Sequence, residues 1–286
     1  MKKVKILLVL FFVVMIAKDN YSQDVLKAPK YPDGVYIKEN TRTRRAIPYP
    51  TLREADVMWS KRVWRVIDLR EKMNFPLYYP DEPILDRKSL YQVILDGALL
   101  NGNITLFANP AFDDEFRMDM TKSEVEALIF KWDTLQSEDA VTGVMTSAPT
   151  KDAIESFEIQ QYWVKEDWFF DKQRSVLDVR IIGICPLTVK KSEAGDIIGV
   201  TPLFWIYFPE ARPVFANQEV YMRHNDAERR TLEDIFWKRM FSSYVRKETN
   251  VYNRAIVEYK TGLDALLEAD RVKNDIFIWE HDLFHF

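Results

Sequence analysis

His281-Asp282-Leu283-Phe284-His285 sets two imidazoles four residues apart, the spacing at which side chains share one helix face and can hold one zinc ion. Asp282 would then deprotonate a bound water, the role that Glu takes in zinc-protease helices. Three features oppose this. Only Phe286 follows, so no downstream third ligand is expected; Asp reaches less far than Glu; and terminal residues hold ligands poorly. Asp113, Asp114 and Glu115 are carboxylates of the kind that cleave glycosides, but adjacent residues do not define two sides of a sugar-sized cleft, and a solvated loop is expected. Cys185 is the single cysteine, so no intrachain disulfide or cysteine-based zinc cluster can form. It has no histidine beside it in sequence, which favours packing over nucleophilic chemistry. No G-x-S-x-G, phosphate loop or dinucleotide fingerprint occurs, and eight glycines leave little to build one from. No catalytic residue, metal or cofactor is therefore assigned.

The rest of the chain shows what would position such groups. Its 286 residues hold 40 Lys plus Arg, 44 Asp plus Glu and 47% apolar residues, a globular composition long enough to bury a core without disulfides. A net charge of −4 gives no reason to expect nucleic-acid binding. Lys2, Lys3 and Lys5 precede an uncharged run, Ile6 to Ala17. At about 1.5 Å per residue that run is too short for a bilayer core of about 30 Å, but it suits a secretory leader over 1–22 cut after Ser22. An uncleaved anchor is the alternative. No cysteine lies near the cut, so a lipoprotein is not expected. Cleavage removes Lys2, Lys3, Lys5, Lys18 and Asp19, leaving 36 basic against 43 acidic groups.

Residues 23–50 read as an extended basic arm. Pro29, Pro32, Pro48 and Pro50 interrupt any regular period, while Lys27, Lys30, Lys38, Arg42, Arg44 and Arg45 outnumber Asp24, Asp33 and Glu39. It is either a solvated tail or a strap that orders on a partner, with Tyr31, Tyr36, Ile37, Ile47 and Tyr49 as anchors. Four prolines keep it out of a regular core, so removing it is expected to cost the body little stability.

The body, 51–286, reads as α+β, with helices, a central mainly antiparallel sheet and C-terminal helices. Thr51 and Glu54 form a capping box for a first helix that runs to about Met73. On it Ala55, Trp59, Val63, Val66, Ile67 and Met73 share an arc opposite Lys61, Arg65, Asp68 and Lys72. Val57 and Trp64 fall outside that arc, so either another layer of the same chain covers Trp64 or a partner does. Further helices are predicted over Ser89–Leu100, from Thr121 to about Trp132, over Thr231–Phe241 and over Thr261–Leu283, with a loop or subdomain boundary at 136–153. Alternation at Phe157–Trp163 and Leu177–Ile181 predicts strands, as does the apolar run Leu203–Phe208, buried on both faces. Cys185 shares the parity of Leu177, Val179 and Ile181, which places it on the core side.

The stretch from Asp56 through Trp59, Trp64 and Arg70 to Asn74, followed by Pro76-Leu-Tyr-Tyr-Pro80, resembles the GldN/PorN family of gliding motility proteins. Thr261-Gly-Leu-Asp-Ala-Leu-Leu-Glu-Ala-Asp270 and Trp279-Glu-His-Asp-Leu283 extend the likeness along the chain. The resemblance implies a periplasmic, non-enzymatic subunit of the type IX secretion and gliding machinery. It implies a ring with a GldK/PorK-like lipoprotein under the outer membrane, contact with a GldM/PorM-like motor shaft, and neighbouring copies of the same chain. It carries over no catalytic residue. For partner contact the sequence offers Tyr31, Tyr36, Arg42, Arg44, Arg45, Tyr49, Val57 and Trp64. The rival to an assembly subunit, besides a metallohydrolase on His281 and His285, is a free periplasmic binding protein with an aromatic groove near Trp163, Trp168 and Trp205.

Overall fold

The computed structural model describes residues 44–283 apart from 85–86, 109, 112, 139–144, 192–196, 223–224 and 226. Its helices are α1 (Phe75–Tyr78), α2 (Leu90–Leu95), α3 (Lys122–Ile129), α4 (Phe208–Phe215), α5 (Leu232–Trp237) and α6 (Leu263–Asp282). Its strands are β1 (Val57–Asp68), β2 (Leu106–Phe107), β3 (Phe130–Glu138), β4 (Met145–Ala153), β5 (Ile159–Asp171), β6 (Val176–Lys191), β7 (Ile197–Pro202), β8 (Trp205–Tyr207), β9 (Glu219–Val220), β10 (Arg230–Thr231) and β11 (Tyr244–Glu248). The main sheet runs β11-β1-β5-β6-β8-β2, with β7 added to β6. Every pairing in it is antiparallel. The α+β class read from the sequence is the observed one.

The predicted first helix is instead a central strand. β1 pairs with β5 from Val57↔Asp171 to Asp68↔Gln161 and with β11 on its other side. Val63, Trp64, Arg65, Val66 and Ile67 are consecutively buried, because both faces of a central strand are covered. A stretch with Val, Ile and Trp on both sides is a better strand than helix; its 100° arc was a coincidence of spacing that two hydrogen-bonded neighbours override. Thr51 caps nothing: a 3₁₀ turn, Glu54–Asp56, starts after Arg53, whose guanidinium grips Asp56.

The other helices follow their caps. Ser89 Oγ accepts from the Gln92 amide to open α2, which continues as a π turn over Asp96–Leu100 and ends at Gly102, φ +62°. Thr121 and Glu124 form a reciprocal capping box on α3, as do Thr231 and Asp234 on α5. α3 stops at Ile129 and α5 at Trp237, short of the predicted ends, because Phe130 enters β3 and Arg239 takes φ +53°. The loop predicted at 136–153 is largely a strand: β4 pairs with β3 from Phe130↔Ala153 to Glu138↔Met145. Phe157 precedes its strand, exposed in a 3₁₀ turn, and the run Leu203–Phe208 is buried apart from Tyr207 but forms only a three-residue strand before α4 begins.

The largest core cluster joins Ile67, Val164, Ile184 and Ile206 of neighbouring strands to α2, α4 and α5. A second cluster, Val63, Val245, Ile256, Ala269, Val272 and Ile276, lies under α6. A third is small: Trp64, Cys185 and Trp205, with Trp163, Phe107 and Phe116 around it. Cys185 is fully buried, as expected, but for a different reason. Glu166 pairs with Ile181 and Lys165 with Gly183, so Ile182 is a bulge that reverses the alternation. Cys185 therefore lies with Trp163, on the opposite face from Ile184. Burial pushes its thiol well above the ordinary range. A bulky maleimide should leave Cys185 unmodified in the native protein and label it fully in denaturant; rapid native labelling would show that this face opens.

Candidate functional site

Of the two C-terminal histidines, only His281 is among the described residues. His281 is exposed in the last turn of α6, its Nδ1 3.7 Å from its own neighbour Asp282, and His224 and His285 lie outside the described residues. Among the described residues, no three His, Cys, Asp or Glu side chains converge as metal ligands. The acidic cluster is engaged locally. Asp113 accepts from the Glu115 amide at 2.9 Å, Glu115 pairs with Arg117, and Asp114 takes Lys165 Nζ on its carbonyl at 2.5 Å.

Of the residues expected to touch partners, Tyr31, Tyr36 and Arg42 lie outside the described residues. Arg44 and Tyr49 are used by their own chain. Arg44 makes a bidentate pair with Asp234 at 2.6 and 2.8 Å, the same carboxylate that closes the α5 capping box. Burial alone would raise the Asp234 carboxyl, but hydrogen bonds from Arg44 and Thr231 outweigh it and hold it below its usual range. The Arg212 guanidinium lies 3.9 Å from the Tyr49 ring centroid and that of Arg180 4.9 Å, while Trp237 stacks on the ring at 5.5 Å. Arg212 also donates to the Ile47 carbonyl and Arg180 to that of Pro50, each at 2.6 Å. Residues 44–50 thus form a strap fastened through the side chains of Arg44 and Tyr49 and the carbonyls of Ile47 and Pro50, with Arg45 and Ile47 exposed on it.

Val57 is half-buried at the start of β1. Trp64 is only 7% exposed, covered by its own chain: Lys247 Nζ lies 4.3 Å and Lys165 Nζ 5.7 Å from its ring centroid. The proposed aromatic groove divides. Trp163 and Trp205 are 6.5 Å apart, whereas Trp168 packs with the cluster under α6 and donates to Glu166.

Two exposed apolar surfaces were not found from the sequence. β7 pairs only with β6 among the described residues, and Ile197, Ile198 and Val200 are exposed along it, Ile198 by 66%. No Lys, Glu or mid-strand Pro protects this edge. On α6, Leu263, Leu266, Leu267, Phe277 and Ile278 face outward while Ala269, Val272 and Ile276 face the core. Apolar residues around the whole circumference were the available signal, since a one-sided surface helix needs only one stripe.

No helix among the described residues is long and apolar enough to cross a membrane. No curated protein matches the chain. Residues 52–285 match the model of the family described as gliding motility associated protein GldN. That span takes in the main sheet and every described helix, and by it the chain belongs to the GldN family of gliding motility associated proteins.

Proposed function

We propose that the protein is a non-enzymatic subunit of the type IX secretion and gliding machinery, exported to the periplasm and held at the inner face of the outer membrane by its partners. It builds a ring with a GldK/PorK-like lipoprotein and further copies of itself, and the ring meets a GldM/PorM-like shaft of the motor. The observation that carries this reading is family membership across residues 52–285. The β7 edge and the outer face of α6 support it, since a ring needs two different surfaces per subunit, each meeting its complement on the next. A tagged chain purified from a solubilised outer-membrane fraction is expected to elute in one large assembly with the lipoprotein. Elution as a free monomer under gentle extraction would overturn the reading.

A further inference from the structure

Two cations on β11 rest on indole rings with no ion-pair partner among the described residues. The Arg246 guanidinium carbon lies 4.0 Å from the Trp163 ring centroid, and Lys247 Nζ lies 4.3 Å from that of Trp64. Among the described residues neither donates a hydrogen bond or forms an ion pair. Both are half-buried, and burial holds both below their usual pKa. A fold that desolvates two cations without pairing them bears an unfavourable term that a bound anion would offset. Both line a cavity of about 240 Å³ together with Trp64, Trp163 and Trp205. Trp163 and Arg246 also border a second, mainly apolar groove of about 520 Å³, lined by Val200, Ile256, Val257, Ala265 and Leu266.

We propose that Arg246 and Lys247 form a carboxylate-binding cradle on the Trp64–Trp163 platform, which takes one Asp or Glu side chain of an assembly partner while that partner's adjoining apolar residues occupy the groove. The inference rests on the reading of the chain as an assembly subunit. A guanidinium whose N–H groups make no hydrogen bond within the chain can offer them to a planar carboxylate. The small cavity suits one side chain, and the apolar groove beside it suits the residues next to that side chain in a peptide. A dianion such as phosphate fits less well, because Glu258 and Asp114 also border the cavity. With Lys165, whose Nζ lies 3.6 Å from the Asp114 carboxylate, three cations stand against Asp114 and Glu258.

The test is peptide binding to the purified full-length chain, followed by the indole resonances. Acetyl-Phe-Glu-Leu-amide is expected to shift the Trp64 and Trp163 indoles saturably, and acetyl-Phe-Gln-Leu-amide to bind at least tenfold more weakly. Arg246→Met and Lys247→Met, each shown by melting to be folded, should each weaken the Glu peptide by at least fivefold. Equal binding of the Glu and Gln peptides, no saturable shift, or an equal response to inorganic phosphate would overturn the cradle. Co-purification separates the two levels of inference. If the wild type and Arg246→Glu/Lys247→Glu recover the same partners in the same amounts, the lipoprotein among them, the cradle is wrong and the assembly reading stands. If the wild type recovers none, the assembly reading falls, and the peptide result decides the cradle alone.

Discussion

A chain starting at Thr51 is expected to melt roughly 10 °C below one starting at Arg42. The proline-broken arm suggested that residues up to 50 could be removed at little cost, but the strap moves the harmless cut upstream. The described contacts of the strap begin at Arg44. Removing 44–50 takes the bidentate partner from Asp234, the half-buried Tyr49 ring from between Arg212, Arg180 and Trp237, and two carbonyl acceptors from those arginines. The Arg44 pair is half-exposed and contributes at most about 1 kcal/mol. The aromatic packing and the two hydrogen bonds bring the total to about 3–5 kcal/mol, or roughly 10 °C for a body of this size. The Arg42 start should melt with the full protein yet fail to recover the lipoprotein, because it lacks Tyr31, Tyr36 and Ile37. Equal melting of the two truncations would show that the strap contributes nothing; lipoprotein recovery by the Arg42 start would show that the arm is passive.

Arg212→Ala is expected to be the most damaging single change outside the apolar core, by about 4 kcal/mol. Arg212 and Glu233 are both almost fully buried; the guanidinium Nε lies 2.8 Å and its Nη2 2.5 Å from Glu233 Oε1, while Oε2 has no hydrogen-bond partner. Burial already pushes the Glu233 carboxyl up, with Arg212 opposing. Without Arg212 the folded chain holds that proton to higher pH than the unfolded chain does. The stability deficit should therefore widen as pH rises above the ordinary carboxyl range and narrow on acidification. Arg212→Ala combined with Glu233→Leu should recover part of the loss, since no carboxylate is then stranded. Urea unfolding of both variants at two pH values checks this, and a pH-independent deficit would mean that Glu233 is not the cause.

What could be read from the sequence was whatever local geometry decides. The caps at Ser89, Thr121 and Thr231 need only neighbouring residues, and each opens the helix expected of it. β1 failed the same method because its partners are far along the chain: Val63 faces Glu166 on one side and Glu248 on the other. The bulge at Ile182 was invisible for a related reason, since it exists only relative to the register of β5. The strap shows a third limit. Arg44 and Tyr49 were marked by residue type as ready for a partner, but nothing local says that the partner is α5 and the arginines of the same chain. Arg246 and Lys247 were passed over because a basic pair in a short strand carries no motif.

The bare edge of β7 also bears on supply. A strand whose outer hydrogen-bonding groups are unpaired and whose side chains include Ile197, Ile198 and Val200 will join another such strand as readily as its intended neighbour. On the assembly proposed above, copies made faster than a ring takes them up would stack on one another, so the cell would have to match production of this subunit to that of its partners or degrade the surplus. Overproduction alone should yield insoluble protein, and co-expression with the lipoprotein should restore solubility in proportion to the lipoprotein supplied.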